Sequence, residues 1–327
     1  MEGWRSLLTA YENEPKEVTS ENLAMKRSLF KQETVMQMGR DFHCEVLSQP
    51  LLADYTSIGI GGAAPFLLLP KETRSLEGLL NELAGENLPW RILGRGTNLI
   101  VRDEGVKDIV ISLTKLPTAP SFSGNTVKVA SGYPLSRLVR EAAAKGLSGI
   151  EFAVGIPGSV GGAVKLNASS FGGSMEEVVS EVTLFSPGKG IIKRKKSEIG
   201  FAYRSTSLEK DEVILSATII LKPSSSWKIQ KEISYLQKLR RERQPIGQKT
   251  AGCIFKNPPG ISAGHLIDAL GLKGLAFGGA VVSKKHGNFI INRHSSTAKE
   301  VLALIELIKE RVYKALRVEL EEEVIIW

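Results

Sequence analysis

The chain has 327 residues, of which 42% are hydrophobic and 24% are charged, values that are ordinary for a soluble globular protein. No apolar run approaches the roughly 18 residues that a membrane-spanning helix needs. The first residues lack an apolar stretch behind a basic flank, so a secretory signal is not expected. These features argue against a membrane-inserted or secreted protein and predict a cytoplasmic one.

The cysteines, histidines and net charge narrow the possible functions further. Cys44 and Cys253 are the only cysteines and should stay reduced in the cytoplasm, and the four histidines lack metal-ligand spacing, so no metal site is expected. The net charge of +8 suits either nucleic acid or small anionic ligands. The densest basic run, Lys189–Lys196, has no interleaved aromatic residues that could stack on bases, and we interpret it as the exposed face of a hairpin.

The first half of the chain divides into an arm and a strand–helix–strand unit. Residues 1–44 are polar and charged and are predicted to be a mobile, possibly disordered arm or a loosely docked helix. Residues 45–116 hold short apolar strands around 64–70, 90–94 and 105–113, with a helix between the first two that has leucines at helical spacing. This pattern predicts a first α+β subdomain.

The second half of the chain has a different pattern of predicted helices and strands. Residues 117–222 combine a helix that stops at Gly146 with several strands that we expect to pair antiparallel. The Ser- and Pro-containing stretch 222–227 predicts a linker, and residues 223–327 form the last block. Thr297 and Glu300 have the spacing of a capping box at the start of its long helix, and a strand is expected at the C-terminus.

Glycine-rich loops are the most informative local feature. The first, SIGIGGAAP, loosely resembles a dinucleotide fingerprint, but a strand follows it where a helix is required, so we reject that interpretation. The second, ILGRGTNLIV, and the third, GIEFAVGIPGSVGGAVKLNASSFGG, allow a phosphate to approach the backbone closely, although tight packing alone could also explain them. A Walker A lysine pattern is missing, which argues against a P-loop hydrolase.

The segment KTAGCIFKNP contains Cys253 and leaves its role open. The expected compartment argues against a disulfide, and the missing ligand spacing argues against a metal site. A small buried hydrophobe and a proton donor remain as alternatives.

Eight motifs together resemble those of the UDP-N-acetylenolpyruvoylglucosamine reductase (MurB) flavoenzymes, in the same order, from about Leu47 to the C-terminus. They are TSIGIGGAAPFLLLP, LGRGTNLIVRDEGVKDIVI, GIEFAVGIPGSVGGAVKLNA, GFAYRSTSL, RRERQP, AGCIFKNPPGISAGHLIDALGLKG, GGAVVSKKHGNFIIN and LEEEV. The chain is similar to the shorter class of the family, which lacks an inserted tyrosine-bearing loop. The resemblance implies an α+β fold: a two-subdomain FAD-binding fold of the vanillyl-alcohol-oxidase (PCMH) type at 45–116 and 117–222, then an α+β substrate-binding domain at 223–327.

The resemblance also implies an activity and its cofactors. The family uses NADPH to reduce FAD, and the reduced flavin then converts the enolpyruvyl group of a UDP-sugar to the lactyl ether of UDP-N-acetylmuramate, a peptidoglycan precursor. Nucleic acid and membrane partners are not expected, and the sequence leaves open the oligomeric state and the preference for NADPH over NADH. The rival interpretations are another FAD-dependent oxidoreductase of the same fold and, more remotely, a basic nucleic-acid-binding protein.

Functional residues carry over from the family only where its motifs match. Arg204 is expected to stabilise negative charge on the substrate, Glu323 to assist it, and Cys253 to occupy the position of the general acid, where many members have serine. Tyr203, Lys256 and Asn257 are expected to contact the substrate or the nicotinamide cofactor; Gln244, His286 and Asn288 match family positions without an expected catalytic role. The expected FAD-binding residues are Gly94, Gly96, Thr97, Asn98, Gly155, Ile156, Pro157, Gly158, Ser159, Gly161 and Gly162.

Overall fold

The computed structural model describes residues 32–116 and 119–327, which form two successive α+β subdomains and a C-terminal α+β domain. Most of the predicted arm, residues 1–31, lies outside the described residues. Residues 32–41 are helical, and Val35 and Met38 of this helix are buried in the core of the first subdomain. The packed structure therefore begins before residue 45.

The first subdomain is built around a four-stranded sheet with apolar cores on both faces. Its elements are α1 (32–41), β1 (Cys44–Ser48), β2 (Phe66–Pro70), α2 (Thr73–Gly85), β3 (Trp90–Leu93), β4 (Leu99–Ile100) and β5 (Ile109–Ser112). The strand order is β1-β2-β5-β3, with β1 antiparallel to β2 and the other pairs parallel. The leucine stripe of α2 is fully buried in one of the two cores, as its spacing predicts.

The second subdomain contains a five-stranded antiparallel sheet, as the sequence predicts. Its elements are β6 (Ser121–Ser123), β7 (Thr126–Ala130), α3 (Leu135–Ala144), β8 (Leu147–Ser148), α4 (Val160–Lys165), β9 (Ser169–Ser170), β10 (Gly173–Ser174), α5 (Met175–Val178), β11 (Val179–Ser186), β12 (Gly190–Lys195), β13 (Phe201–Ala202), β14 (Ser205–Thr206), β15 (Val213–Ile220), β16 (Lys222–Pro223) and α6 (Ser226–Arg243). The sheet order is β12-β11-β15-β7-β6. The basic run lies on β12, whose residues alternate between exposed and half-buried, as expected for a solvated hairpin.

The predicted linker at 222–227 and the domain boundary at 223 need correction. Lys222 and Pro223 pair with β8, and α6 begins at Ser226. Helix α6 buries Ile229, Ile233 and Leu236 in the core of the second subdomain. This helix therefore belongs to the second subdomain, because its apolar stripe is covered there, and the C-terminal domain begins after Arg243.

The C-terminal domain packs two helices around a small antiparallel sheet. Its elements are α7 (Ala263–Ala269), β17 (Ala276–Phe277), β18 (Ala280–Val282), β19 (Ile290–Asn292), α8 (Ala298–Leu316) and β20 (Ile325–Ile326). The predicted capping box of Thr297 and Glu300 is present at the start of α8. The C-terminal strand is shorter than expected, and it pairs in parallel with β4 of the first subdomain. Among the described helices, none is long and apolar enough to cross a bilayer.

Candidate active site

Two glycine-rich loops from different subdomains lie directly against each other. They are residues 94–98, here called the first glycine loop, and residues 154–159, the second glycine loop. The hydroxyl of Thr97 donates a hydrogen bond to the carbonyl oxygen of Pro157 at 3.0 Å. A Cβ atom on Gly94 would lie only 2.8 Å from Ser159 Oγ, so a residue without a side chain permits the close approach. The structure thus brings together the two loops that hold the predicted FAD-binding residues.

The backbone of these loops can accommodate a phosphate-containing cofactor. Gly96 has a φ of +60°, and a Cβ atom there would lie 1.9 Å from the carbonyl oxygen of Tyr55. Gly155 and Pro157 are exposed, so their backbone is open to a ligand. The hydroxyl of Ser131, packed against Gly161 just after the second glycine loop, is buried without a hydrogen-bond partner in the described part of the protein. A bare backbone and an unsatisfied polar atom are the features expected of a cradle for the FAD pyrophosphate.

Part of the third glycine-rich segment is helical, which the sequence did not predict. Residues Val160–Lys165 form α4, and the side chain of Ser159 accepts a hydrogen bond from the amide of Gly162 at its start. Glycine disfavours helices, but the helix contacts β15 and β7 in the core, and this packing overrides the local preference. The loop that faces the first glycine loop is therefore only residues 154–159.

A cleft of about 350 Å³ adjoins the first glycine loop at Gly94 and Arg95. Besides Gly94, the cleft is lined by residues that were not among the predicted site residues: Asp54, Tyr55, Thr56, Ser57, Arg95, Ser112 and Thr114. The amide of Ser57 donates to the carbonyl oxygen of Gly96 at 2.9 Å. The segment SIGIGGAAP, in which Ser57 lies, thus supports the first glycine loop. A strand and not a helix follows this segment, which agrees with our rejection of the dinucleotide fingerprint.

Arg204 lies at the tip of a short hairpin formed by β13 and β14. Its backbone is left-handed, with a φ of +58°, an uncommon conformation for a residue with a side chain. Arg204 Nη1 donates to both the carbonyl oxygen and the hydroxyl of Ser169, at 3.1 Å each. Asn167 Nδ2 supports the hairpin by donating to the carbonyl oxygen of Ala202 at 3.0 Å. The guanidinium is therefore held in one orientation from two sides.

Arg204 and Tyr203 line a groove of about 500 Å³ that is open to solvent. The other lining residues are Ser169, Ser170, Phe171, Gly172, Gly173, Ser174, Glu177 and Asn257. Glu323 forms an ion pair with Arg204 next to this groove, with 2.9 Å between Arg204 Nε and Glu323 Oε1. Among the described residues, Nε has no partner other than this carboxylate.

Cys253 is carried by an extended segment clamped between two other parts of the C-terminal domain. It forms a β-bridge with Phe289, and the amide of Glu323 donates to the carbonyl oxygen of Ile254 at 2.8 Å. The buried side chain of Asn288 bonds both backbone groups of Phe255, at 2.8 and 2.7 Å. Asn288 therefore supports the segment that carries Cys253 without lining the groove.

Glu323 also connects the C-terminal domain to the first glycine loop. Asn98 Nδ2 donates to the carbonyl oxygen of Glu323 at 3.0 Å, and the amide of Ile325 donates to the carbonyl oxygen of Asn98 at the same distance. A Cβ atom on Gly252 would lie 3.7 Å from the carbonyl oxygen of Thr97. The candidate acid and carboxylate therefore stand next to the predicted cofactor cradle.

Burial sets the protonation of both groups. The Cys253 side chain keeps partial access to solvent, but the protein packed around it raises the pKa of the thiol to about 12; the charge of Glu323 adds to this, whereas Arg204 and Arg240 oppose it. Burial also raises the pKa of Glu323, against the opposing charge of Arg204. Cys253 therefore keeps its proton at neutral pH.

The remaining predicted residues differ in their placement. The Tyr203 hydroxyl accepts a hydrogen bond from the amide of Asn257 at 3.2 Å, and Asn257 Oδ1 accepts one from the first residue of α7 at 3.0 Å. Lys256 does not line the groove and forms an ion pair with Glu321 at 3.0 Å. His286 Nδ1 accepts from the amide of Asn288 at 3.1 Å, and burial lowers the pKa of its imidazole.

Arg240 is the residue near the site that the sequence interpretation missed. It is 6% exposed, and its charge acts on the Cys253 thiol. Its position continues the buried stripe of α6, Ile229, Ile233 and Leu236, at helical spacing, and this signal was available in the sequence. The described part of the chain holds no cluster of three or more His, Cys, Asp or Glu side chains that could bind a metal ion.

The paired glycine loops belong to a known class of cofactor-binding fold. Residues 64–194 match the family model described as "FAD binding domain". The chain is therefore a flavoprotein with the two-subdomain FAD-binding fold of the vanillyl-alcohol-oxidase type. Residues 244–327 match the model described as "UDP-N-acetylenolpyruvoylglucosamine reductase, C-terminal domain", which begins where α6 ends.

Whole-chain comparisons define the family. The chain is 41% identical to a UDP-N-acetylenolpyruvoylglucosamine reductase of Syntrophus aciditrophicus, across 85% of this chain and 91% of that protein. It is 38% identical to one of Bacillus velezensis, across 89% and 97%. The crystal structure of the MurB protein of Thermus caldophilus superposes with a TM-score of 0.74 at 39% identity, across 87% and 98%. The chain belongs to the UDP-N-acetylenolpyruvoylglucosamine reductase family.

Proposed function

We propose that this protein uses NADPH to reduce the enolpyruvyl group of UDP-N-acetylglucosamine enolpyruvate to UDP-N-acetylmuramate, and that Arg204, Cys253 and Glu323 carry the chemistry. The observation that supports these roles is their convergence. Arg204 of the second subdomain lines the groove and pairs with Glu323 of the C-terminal domain, and both charges act on the thiol of Cys253, beside the glycine loops that would hold FAD. FAD, when bound, takes reducing equivalents from NADPH and delivers them to the vinyl CH2 carbon of the substrate.

Arg204 is suited to stabilise the charge that develops on the substrate. Reduction at the vinyl carbon leaves a negative charge on the neighbouring carbon, which spreads into the carboxylate as an enolate. A guanidinium stays charged throughout and can bind two oxygens at once. Its Nη1 anchors on Ser169 and its Nε faces Glu323, so the group is oriented before the substrate arrives.

Cys253 would donate the proton that completes the reduction. Its raised pKa means that the thiol is fully protonated at neutral pH, as a donor must be. The proton passes from Sγ to the carbon next to the carboxylate, and the electron pair of the S–H bond remains on sulfur. Arg204 and Arg240 stabilise the resulting thiolate, since both lower the pKa of this thiol.

Glu323 would assist the enolate from the other side of Arg204. Burial raises its pKa, which favours a protonated carboxyl that can donate a hydrogen bond, whereas the ion pair with Arg204 favours the carboxylate. A substrate carboxylate that binds Arg204 would weaken this ion pair. The proton on Glu323 is then retained more strongly, and the group is prepared to hydrogen-bond the enolate.

The lining of the groove supports the proposed substrate-binding roles of Tyr203 and Asn257. Tyr203 and Asn257 line it, and their mutual hydrogen bond connects the second subdomain to the C-terminal domain across the groove. Lys256, which pairs with Glu321 at its edge, could bind a phosphate only by giving up that surface ion pair, a small cost. The free thiols Cys44 and Cys253 suit a reducing cytoplasm, and we assign the protein to that compartment without nucleic-acid or membrane partners.

The test is an anaerobic titration of the FAD-loaded protein. NADPH should bleach the flavin absorbance, and UDP-N-acetylglucosamine enolpyruvate should restore it in the absence of oxygen with one UDP-N-acetylmuramate formed per flavin. UDP-N-acetylglucosamine, which lacks the enolpyruvyl group, is the matched control and should restore nothing. A protein that binds no FAD on reconstitution, or a reduced flavin that the enolpyruvyl substrate leaves bleached, would contradict the proposal.

A further inference from the structure

Arg240 is a buried cation that has no counter-charge in the described part of the protein. Its Nη2 donates to Ser170 Oγ at 2.8 Å and its Nη1 to Gln244 Oε1 at 3.2 Å, both neutral groups. Its Nε is buried without any partner. The guanidinium also lies over the ring of Phe171 at 5.0 Å. These contacts fix the orientation of the side chain but leave its charge uncompensated.

Other arginines of the second subdomain that are shielded from solvent do have a carboxylate partner. Arg194 pairs with the buried Glu212, and Arg204 pairs with Glu323. Burying a charge without a partner is costly, and this burial is the main reason that the pKa of Arg240 is lowered. A buried, oriented cation whose Nε is unsatisfied therefore indicates an anionic ligand.

The position of Arg240 indicates which ligand this is. A Cβ atom on Gly155 would lie 2.8 Å from Arg240 Cδ and 3.4 Å from Nε, so the side chain runs directly under the second glycine loop. Its charge also reaches Cys253. Arg240 does not line the groove of Arg204, where a substrate carboxylate would bind. Its contacts Ser170 and Phe171 do line that groove, however, so Arg240 stands between the glycine loop and the groove. Because the proposed function has Cys253 protonate the carbon next to the one that takes the hydride, the reacting ring of FAD would lie close to Arg240 as well.

We propose that Arg240 is the counter-charge for the negative charge that FAD acquires on reduction, and that it raises the reduction potential of the bound flavin. The inference rests on the proposed function. One hydride, carrying two electrons, moves from NADPH to FAD, giving NADP⁺ and a reduced FAD with one additional negative charge. A fixed guanidinium in a buried site stabilises that anion more than the neutral oxidised form, so it binds the reduced cofactor selectively.

The experiment measures the midpoint potential of FAD bound to Arg240→Gln, with Arg240→Lys as the charge-conserving variant. Arg241→Gln is the matched control, because Arg241 is exposed on the same helix. Arg240→Gln should weaken binding of reduced FAD relative to oxidised FAD by tenfold or more, which corresponds to a potential about 30 mV lower for a two-electron couple. Arg240→Lys should lose less than half of this, and Arg241→Gln should match the wild type.

Two outcomes would overturn the proposal. One is an Arg240→Gln protein with the wild-type potential; the other is an unchanged potential with weakened binding of the enolpyruvyl substrate, which would assign Arg240 to the substrate. If Arg240→Gln does not fold, Gln244→Glu provides the second variant: it places a carboxylate against Nη1 of Arg240, partly compensates the charge without removing the guanidinium, and should lower the potential in the same direction. A wild-type protein without bound FAD would instead contradict the proposed function, so the two failures are distinguishable.

Discussion

Cys44 and Cys253 have thiols with the same raised pKa, but they lie in different regions and have different neighbours. Burial raises the pKa of both thiols from 9.0 to about 12. Cys44 is 7% exposed within the apolar core of the first subdomain, where its thiol donates to the carbonyl oxygen of Glu45 and is influenced by the charges of Glu45 and Lys71. Cys253 retains partial access to solvent and is influenced by Glu323, Arg204 and Arg240.

This difference separates a structural thiol from a candidate acid. A raised pKa shows only that the proton is retained, and both cysteines meet that condition. A proton donor additionally needs an approach for the substrate and nearby cations that stabilise the thiolate left behind. Cys253 is partly accessible and two arginines act on its thiol, whereas Cys44 lies in the apolar core and a single lysine, Lys71, acts on it. The comparison predicts that the same substitution at the two positions has different consequences.

The largest expected effect is on turnover by the alanine variants. Cys253→Ala should reduce kcat by about a thousandfold, within the range of 10²–10⁴ that general acids contribute. Cys253→Ser should retain substantial turnover, because a hydroxyl can donate from the same position. Cys44→Ala should keep kcat within about twofold of the wild type. Steady-state assays of the three variants measure these kcat values. Full turnover by Cys253→Ala would remove this thiol from the mechanism.

Arg204→Ala tests the charged neighbour of Cys253. We expect kcat to fall at least about a hundredfold, because stabilisation of developing charge is worth roughly 2.7–4 kcal/mol. The matched control, Arg241→Ala, removes an exposed guanidinium and should leave kcat unchanged. A near-normal kcat for Arg204→Ala would show that the groove stabilises the enolate in another way.

The smallest effect concerns alkaline stability, where the two thiols should behave alike. Each pKa is higher in the folded protein than its ordinary value of 9.0, so each contributes stability that is complete below pH 9 and is lost as pH rises from 9 towards 12. Between pH 8 and pH 10 each thiol should cost roughly 1 kcal/mol of the free energy of unfolding. Urea unfolding of Cys44→Ala should show a shallower decline than the wild type; an identical decline would contradict the shared burial effect.

The sequence predicted the local elements better than their assembly. Most strands of both sheets and the capping box of Thr297 follow from short-range patterns and were confirmed, whereas the edge strands β1 and β6 were not predicted. The stripe of α6 showed that this helix is amphipathic, but local spacing does not reveal which subdomain covers it. Helix α4 was missed because its glycines disfavour a helix, and only packing against β7 and β15 stabilises it.

For the candidate site too, the sequence predicted individual residues but not how the fold places them. Family motifs selected Arg204, Cys253 and Glu323, and the structure brings these three together, although their roles remain a proposal. Arg240 lies in a run with Arg241 and Arg243, where composition indicates solvated charge. Its spacing from Ile233 and Leu236 was a signal in the sequence that Arg240 faces the core, but only the fold shows that it lies beneath a glycine loop.

The central claim is that Cys253 acts after reduction of the flavin, as a proton donor to the substrate. Anaerobic stopped-flow absorbance of Cys253→Ala and Cys44→Ala tests it directly, because the two halves of the reaction are followed separately. Both variants should be bleached by NADPH at close to the wild-type rate. The bleached Cys44→Ala should regain its colour with the enolpyruvyl substrate, and the bleached Cys253→Ala should remain reduced. Reoxidation of Cys253→Ala at the wild-type rate, or a defect confined to bleaching by NADPH, would contradict the account.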